Sequence, residues 1–166
     1  MNNNGTFVAV RFREDTRQLL YAYTLMNGIP NPLDPDEYHS TVVYSRNHIQ
    51  FEHSEQELVP IRHATPIAFD MFEGVIDGKK GNCCVLKIDS SYMTERHKFL
   101  RRYHNATHDF PDYNPHVTLS YDIGDFDVSK LKDIQVILPK LYLVAEFNEE
   151  LEDVGNPKTK EEKSKQ

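Results

Sequence analysis

The chain has 166 residues, of which 39% are hydrophobic and 27% charged, which suits one globular domain with a core or two small lobes sharing one. Its net charge is −7, and the stretch from Glu152 to Gln166 holds four acids and four lysines, so the rest of the chain carries the whole imbalance. Surfaces that grip long nucleic acid are basic, so a phosphate-bearing substrate is expected to be small and held in a pocket, with no long nucleic acid as partner.

The start, Met1-Asn2-Asn3-Asn4-Gly5, has neither the basic region nor the apolar stretch of a secretory signal. No apolar run approaches the roughly 20 residues of a membrane span, so no membrane partner is expected. Residues 6–12, rich in β-branched and aromatic types, predict a strand. Asp15 or Thr16 then caps a helix running to about Asn27, with Leu19, Leu20, Tyr23 and Leu25/Met26 near helical spacing. Gly28 ends it, and the proline-rich residues 29–36 form a rigid loop. A strand follows, Tyr38-His39-Ser40-Thr41-Val42-Val43-Tyr44.

The polar stretch 46–63 has three histidines and no clear periodicity. Strands at about 66–76 and 83–88 are joined by a hairpin turn, Asp77-Gly78-Lys79-Lys80-Gly81. The only cysteines, Cys83 and Cys84, are neighbours, so no disulfide framework is expected and a reducing cytoplasm fits. Ser90 or Ser91 caps a second helix through about His104, and a loop with Pro111 and Pro115 leads to another strand, Pro115-His116-Val117-Thr118-Leu119-Ser120-Tyr121. A short helical piece near 128–133 precedes a last strand, 141–147. Residues 1–151 hold all the expected elements, as one domain or two small lobes sharing a core, and 152–166 are expected to be a disordered charged tail.

Each half therefore reads strand, helix, loop, His-x-Thr strand, further strand. Alternation along a strand puts His39 with Thr41, and His116 with Thr118 and Ser120, on one face. Tyr44 and Tyr121 are expected on the opposite, core face. Two imidazoles are the usual means of moving two protons near neutral pH, one as base and one as acid. The threonine hydroxyls can donate to non-bridging phosphate oxygens. The other histidines, His48, His53, His63, His97, His104 and His108, lack a ligand spacing, so no metal site is expected and a solvated surface role is favoured.

On these two motifs, with their order, spacing and strand context, the chain resembles the 2H phosphoesterase superfamily, and within it the phage anti-CBASS members. The resemblance implies an α+β fold, bilobal, with two pseudo-symmetric lobes, each an antiparallel sheet and a helix, around a central cleft. It implies a metal-independent hydrolase without cofactors, acting on the 3′–5′ bonds of cyclic di- and trinucleotide messengers such as cGAMP, in the cytoplasm of an infected bacterial host. His39 and His116 are then the acid/base pair, and Thr41 and Thr118 the phosphate ligands. The order of the two histidines is open, as are the base preference, the ring size and the oligomeric state.

Base recognition is read from alternation. Phe7, Ala9 and Arg11 share a face, making Phe7 a stacking candidate and Arg11 a phosphate candidate. In the last strand Leu141, Leu143, Ala145 and Phe147 are expected in the core, leaving Tyr142 and Glu146 toward the cleft as substrate-binding candidates. Two alternatives stay open: an RNA-processing 2′,3′-cyclic or 2′–5′ phosphodiesterase, and a sponge that binds the messenger without cleaving it.

Overall fold

The structure, a computed structural model, describes residues 4–151. The charged tail and the first three residues lie outside the described residues. The strands are β1 Thr6–Phe12, β2 His39–Ser45, β3 Glu55–Ile76, β4 Lys79–Asp89, β5 His116–Ser120 and β6 Leu141–Glu150. The helices are α1 Glu14–Met26 and α2 Ser91–Tyr103. All strand pairs are antiparallel, in one sheet of order β2-β1-β6-β3-β4-β5.

That order is a palindrome of the expected repeat. The first half runs β1-α1-β2-β3 and the second β4-α2-β5-β6. Each His-x-Thr strand lies at an outer edge, paired with the strand that opens its own half, while β3 and β6 meet in the middle. The two expected lobes thus share a continuous sheet. It curls until its edge strands, β2 and β5, approach each other.

One face of the sheet is covered by both helices and holds the core, with Val8, Val10, Phe12, Leu20, Leu86, Met93, Leu100, Leu141 and Leu143 fully or almost fully buried. The helices tie distant strands of the sheet together. From α2, His97 meets β2, and Tyr92 and Arg96 meet β6 of the other end. From α1, Tyr23 stacks on Phe69 of β3.

Local signals behave largely as their chemistry dictates. Ser90 caps α2 by accepting from the Met93 amide. For α1 the expected cap moves: Arg13 occupies the cap position without a side-chain bond, and Asp15 sits inside the first turn, accepting from the Thr16 amide and Arg13. The hairpin is tighter than expected. Asp77 and Gly78 alone turn the chain, both at positive φ (52° and 77°), and Ile76 pairs with Lys79. The polar stretch 46–63 is not all loop, because β3 begins at Glu55 and runs 22 residues.

Candidate active site

Both His-x-Thr strands carry the same irregularity. In β2, Thr41 pairs with Ala9 and Val43 with Val8, so Val42 is one residue too many for its partner. In β5, Thr118 pairs with Val85 and Ser120 with Cys84, so Leu119 is the extra residue. Each strand therefore has a β-bulge directly after its threonine. The bulges invert the alternation beyond that point. Tyr44 comes round to the His39 face, where its ring meets Phe7 edge-on at 6.0 Å, although it stays buried. Ser120 turns the other way, into the core, and donates to the Pro30 carbonyl at 2.6 Å. Both placements correct the simple alternation.

Directly paired residues of an antiparallel sheet project from the same face. Arg11 pairs with His39 and Ala9 with Thr41, while Lys87 pairs with His116 and Val85 with Thr118. Each histidine thus has a cation beside it on the helix-free face. Each cation is tied to a carboxylate of β3: Arg11 to Glu55 at 2.6 Å, and Lys87 to Asp70 at 3.0 Å. Burial works against ionisation of Asp70, but Lys87 and the Met71 amide outweigh it and hold the carboxyl below its usual range. Each histidine also has a phenyl ring edge-on: Phe7 at 5.7 Å from His39, and Phe72 at 5.4 Å from His116.

The imidazoles are oriented alike. His39 donates from Nδ1 to the carbonyl of Glu37 at 3.0 Å, and His116 from Nδ1 to that of Asn114 at 2.8 Å. A proton fixed on Nδ1 leaves Nε2 as the working nitrogen of each neutral ring. The Nε2 of His116 is buried and has no hydrogen-bond partner. Burial lowers its pKa to about 4, against the Asn114 bond, and the charges of His39 and Lys87 push in the same direction. Thr41 and Thr118 are 9% and 5% exposed.

Of the residues expected to bind substrate, Phe7 and Arg11 stand beside His39. Glu146 does not. The register that pairs it with Val10 puts it on the helix face, while Ala145 and Phe147 pair with Arg11 and Ala9 on the His39 face. There Glu146 is 6% exposed and accepts from Arg96 at 2.8 and 3.0 Å and from Tyr92 at 3.0 Å. Phe147, expected in the core, instead lies under Arg11, whose guanidinium is 3.9 Å from the ring centroid. Between them the ladder slips, since Arg11 pairs with Ala145 and the next residue, Phe12, with Leu143. That slip returns Leu141 and Leu143 to the core and leaves Tyr142 on the helix-free side, stacked by Arg13 at 4.0 Å beyond the His39 group.

Lys87 was hidden from sequence reasoning because it lies inside the apolar run of β4. The only signal was its place four residues before the second helix, near that of Arg11, three residues before the first. His97 is not a surface residue. It is 4% exposed, and donates from Nδ1 to the Val42 carbonyl at 2.7 Å. Among the described residues no group of three His, Cys, Asp or Glu is arranged to hold a metal ion, and no helix is long and apolar enough to cross a membrane.

Residues 4–157 match the family model described as "Anti-CBASS protein Acb1". The Acb1 protein of Enterobacteria phage T4 is 34% identical over 140 residues, covering 84% of this chain and 87% of that protein. That of Vibrio phage KVP40 is 38% identical over 126 residues, covering 74% and 76%. Among solved structures, a phosphoesterase superposes with TM-score 0.52 over 89% of this chain and 88% of the other, at 10% identity. Escherichia coli LigT complexed with 3′-AMP gives TM-score 0.51 over 90% and 88%, at 11% identity. These two likenesses show the fold, which is that of the 2H phosphoesterases.

Proposed function

Because the chain belongs to the family of anti-CBASS protein Acb1 and has the fold of the 2H phosphoesterases, we propose that it is a phosphodiesterase that hydrolyses 3′–5′ bonds of cyclic di- and trinucleotide messengers such as cGAMP. It does so without metal, in the cytoplasm of the infected host. One observation carries this reading: two equivalent strands each present an imidazole, a threonine and a paired cation on one face, with both Nδ1 protons held by carbonyls two residues upstream.

In the proposed mechanism, a substrate phosphate sits between the strands and accepts from the hydroxyls of Thr41 and Thr118. The ribose 2′-oxygen attacks phosphorus, and the P–O bond to the 5′-oxygen breaks. His116 is the initial base. Its buried ring is neutral near pH 7, and its Nε2 lone pair is unclaimed. It takes the 2′-hydroxyl proton while His39 protonates the departing 5′-oxygen. The resulting 2′,3′-cyclic phosphate is opened by water with the roles exchanged. Arg11 and Lys87 offset the charge that builds on the equatorial oxygens. Phe7 offers a face for a nucleobase.

The test is incubation in EDTA with a 3′–5′ cyclic dinucleotide, a 2′–5′ oligoadenylate and a 2′,3′-cyclic phosphate, followed by product separation. Cleavage of the cyclic dinucleotide is expected. Cleavage of the 2′–5′ substrate alone would point to an RNA-processing esterase, and intact messenger recovered from the denatured complex to a sponge.

A further inference from the structure

The bulge after Thr41 frees two consecutive carbonyls of β2, and both are taken up by side chains of the other half. The Tyr113 hydroxyl donates to Thr41 O at 2.8 Å, and His97 Nδ1 donates to Val42 O at 2.7 Å. The two donors form one unit, since their rings stack at 4.0 Å between centroids and 7° between planes. His108 meets His97 edge-on at 4.7 Å, and its Nε2 is 2.8 Å from the Asp112 carbonyl of the same loop. Burial raises the Tyr113 phenol well above its usual pKa, so its hydroxyl stays a donor.

Tyr113 is one residue before Asn114, whose carbonyl holds Nδ1 of His116. The loop that carries both is sewn to the end of β2 at further points. The Thr107 amide donates to Ser45 Oγ at 3.1 Å, the Arg46 amide to Thr107 Oγ1 at 2.7 Å, and Asn47 Nδ2 to the Asn105 carbonyl at 2.8 Å. An enzyme whose acid and base come from opposite edges of one sheet must fix the distance between them, because small misplacements of catalytic groups cost large factors in rate. The hydrogen-bonded sheet does not provide this link, since β2 and β5 are its two ends.

We propose that Tyr113 is the positioning residue that joins the two halves of the active site: its hydroxyl anchors the bulge behind Thr41, its ring is held by His97, and its backbone delivers the Asn114 carbonyl that orients His116. It touches no substrate and acts through Thr41 and His116. The inference deepens the functional reading above and rests on it for its kinetic arm.

Tyr113→Phe keeps the stacked ring and removes one hydroxyl. With a cyclic dinucleotide as substrate, kcat is expected to fall about tenfold while KM stays within twofold. In 15N-correlated spectra of the imidazoles at pH 7, wild-type His116 is expected to be the Nδ1–H tautomer alone, and the variant a mixture with Nε2–H. Unchanged kcat together with an unchanged tautomer would overturn the proposal. So would a kcat loss that is recovered on cooling in step with refolding, the mark of a purely structural role. If Tyr113→Phe does not fold, His97→Asn, which keeps a donor for Val42 O but removes the stack, is read in the same two ways with the same outcomes. If the wild-type protein cleaves no cyclic dinucleotide, the functional reading fails, and the tautomer arm still decides whether Tyr113 orients His116.

Discussion

Lowering the pH should unfold this protein partly through one buried residue, His97, and His97→Asn isolates it. The wild-type ring is 4% exposed, and burial lowers its pKa to about 4, opposed by the bond to Val42 O and assisted by the charges of His108 and Arg101. An unfolded histidine titrates near 6.5. Between these values the unfolded chain binds more protons than the native one, so native stability is full above about pH 6.5 and is lost as pH falls toward 4. Integrating between pH 7 and pH 5 gives a loss of about 2 kcal/mol for this one group. His116, shifted the same way, adds a second contribution, reduced by its partial exposure. Asparagine keeps a donor near the position of Nδ1 and does not titrate, at the cost of the stack on Tyr113. The variant is therefore less stable at pH 7, but its decline toward pH 5 should be shallower than wild type by about 2 kcal/mol. Urea unfolding at pH 7, 6 and 5 measures this directly. Parallel declines for the two proteins would refute the buried neutral imidazole.

Thr41→Ala should cost about 2–4 kcal/mol of transition-state stabilisation, the range for losing one such donor, with a smaller change in messenger affinity by calorimetry. Glu146→Gln breaks a buried bidentate pair with Arg96 and should destabilise by about 3 kcal/mol in denaturant titration. Because Glu146 lies on the helix face, kcat at a permissive temperature should stay near wild type, and a selective loss of activity would return it to the cleft. Lys87→Gln removes a like charge that helps to depress His116, so the acidic limb of the rate–pH profile should move to higher pH. An unmoved limb would show that Lys87 and His116 are not coupled.

The architecture was legible where local pattern carries it. Two His-x-Thr strands, each preceded by strand and helix, are visible in composition and spacing; the shared palindromic sheet is not, because it depends on the long-range pairing of β3 with β6. The faces of residues beyond the motifs were not legible, because a bulge is a relation between two strands. Nothing in Val42 or Leu119 announces that its partner skips it, yet those bulges decide where Tyr44 and Ser120 point. The slip between Arg11 and Phe12 exchanged the roles expected for Phe147 and Glu146 in the same way. The first part of β3 escaped notice because most of its residues between 55 and 61 face solvent, which erases the apolar alternation. Tyr113 carried no signal in the sequence, since its partner is a backbone carbonyl 72 residues away.

The most direct test of the paired site compares wild type, His39→Ala and His116→Ala on a 3′–5′ cyclic dinucleotide in EDTA, with binding measured in parallel. The account predicts cleavage by wild type with the metal chelated, and a loss on the order of 10²–10⁴-fold in each variant with messenger binding largely kept. Near-full activity in either variant, or activity that disappears with EDTA, would contradict it.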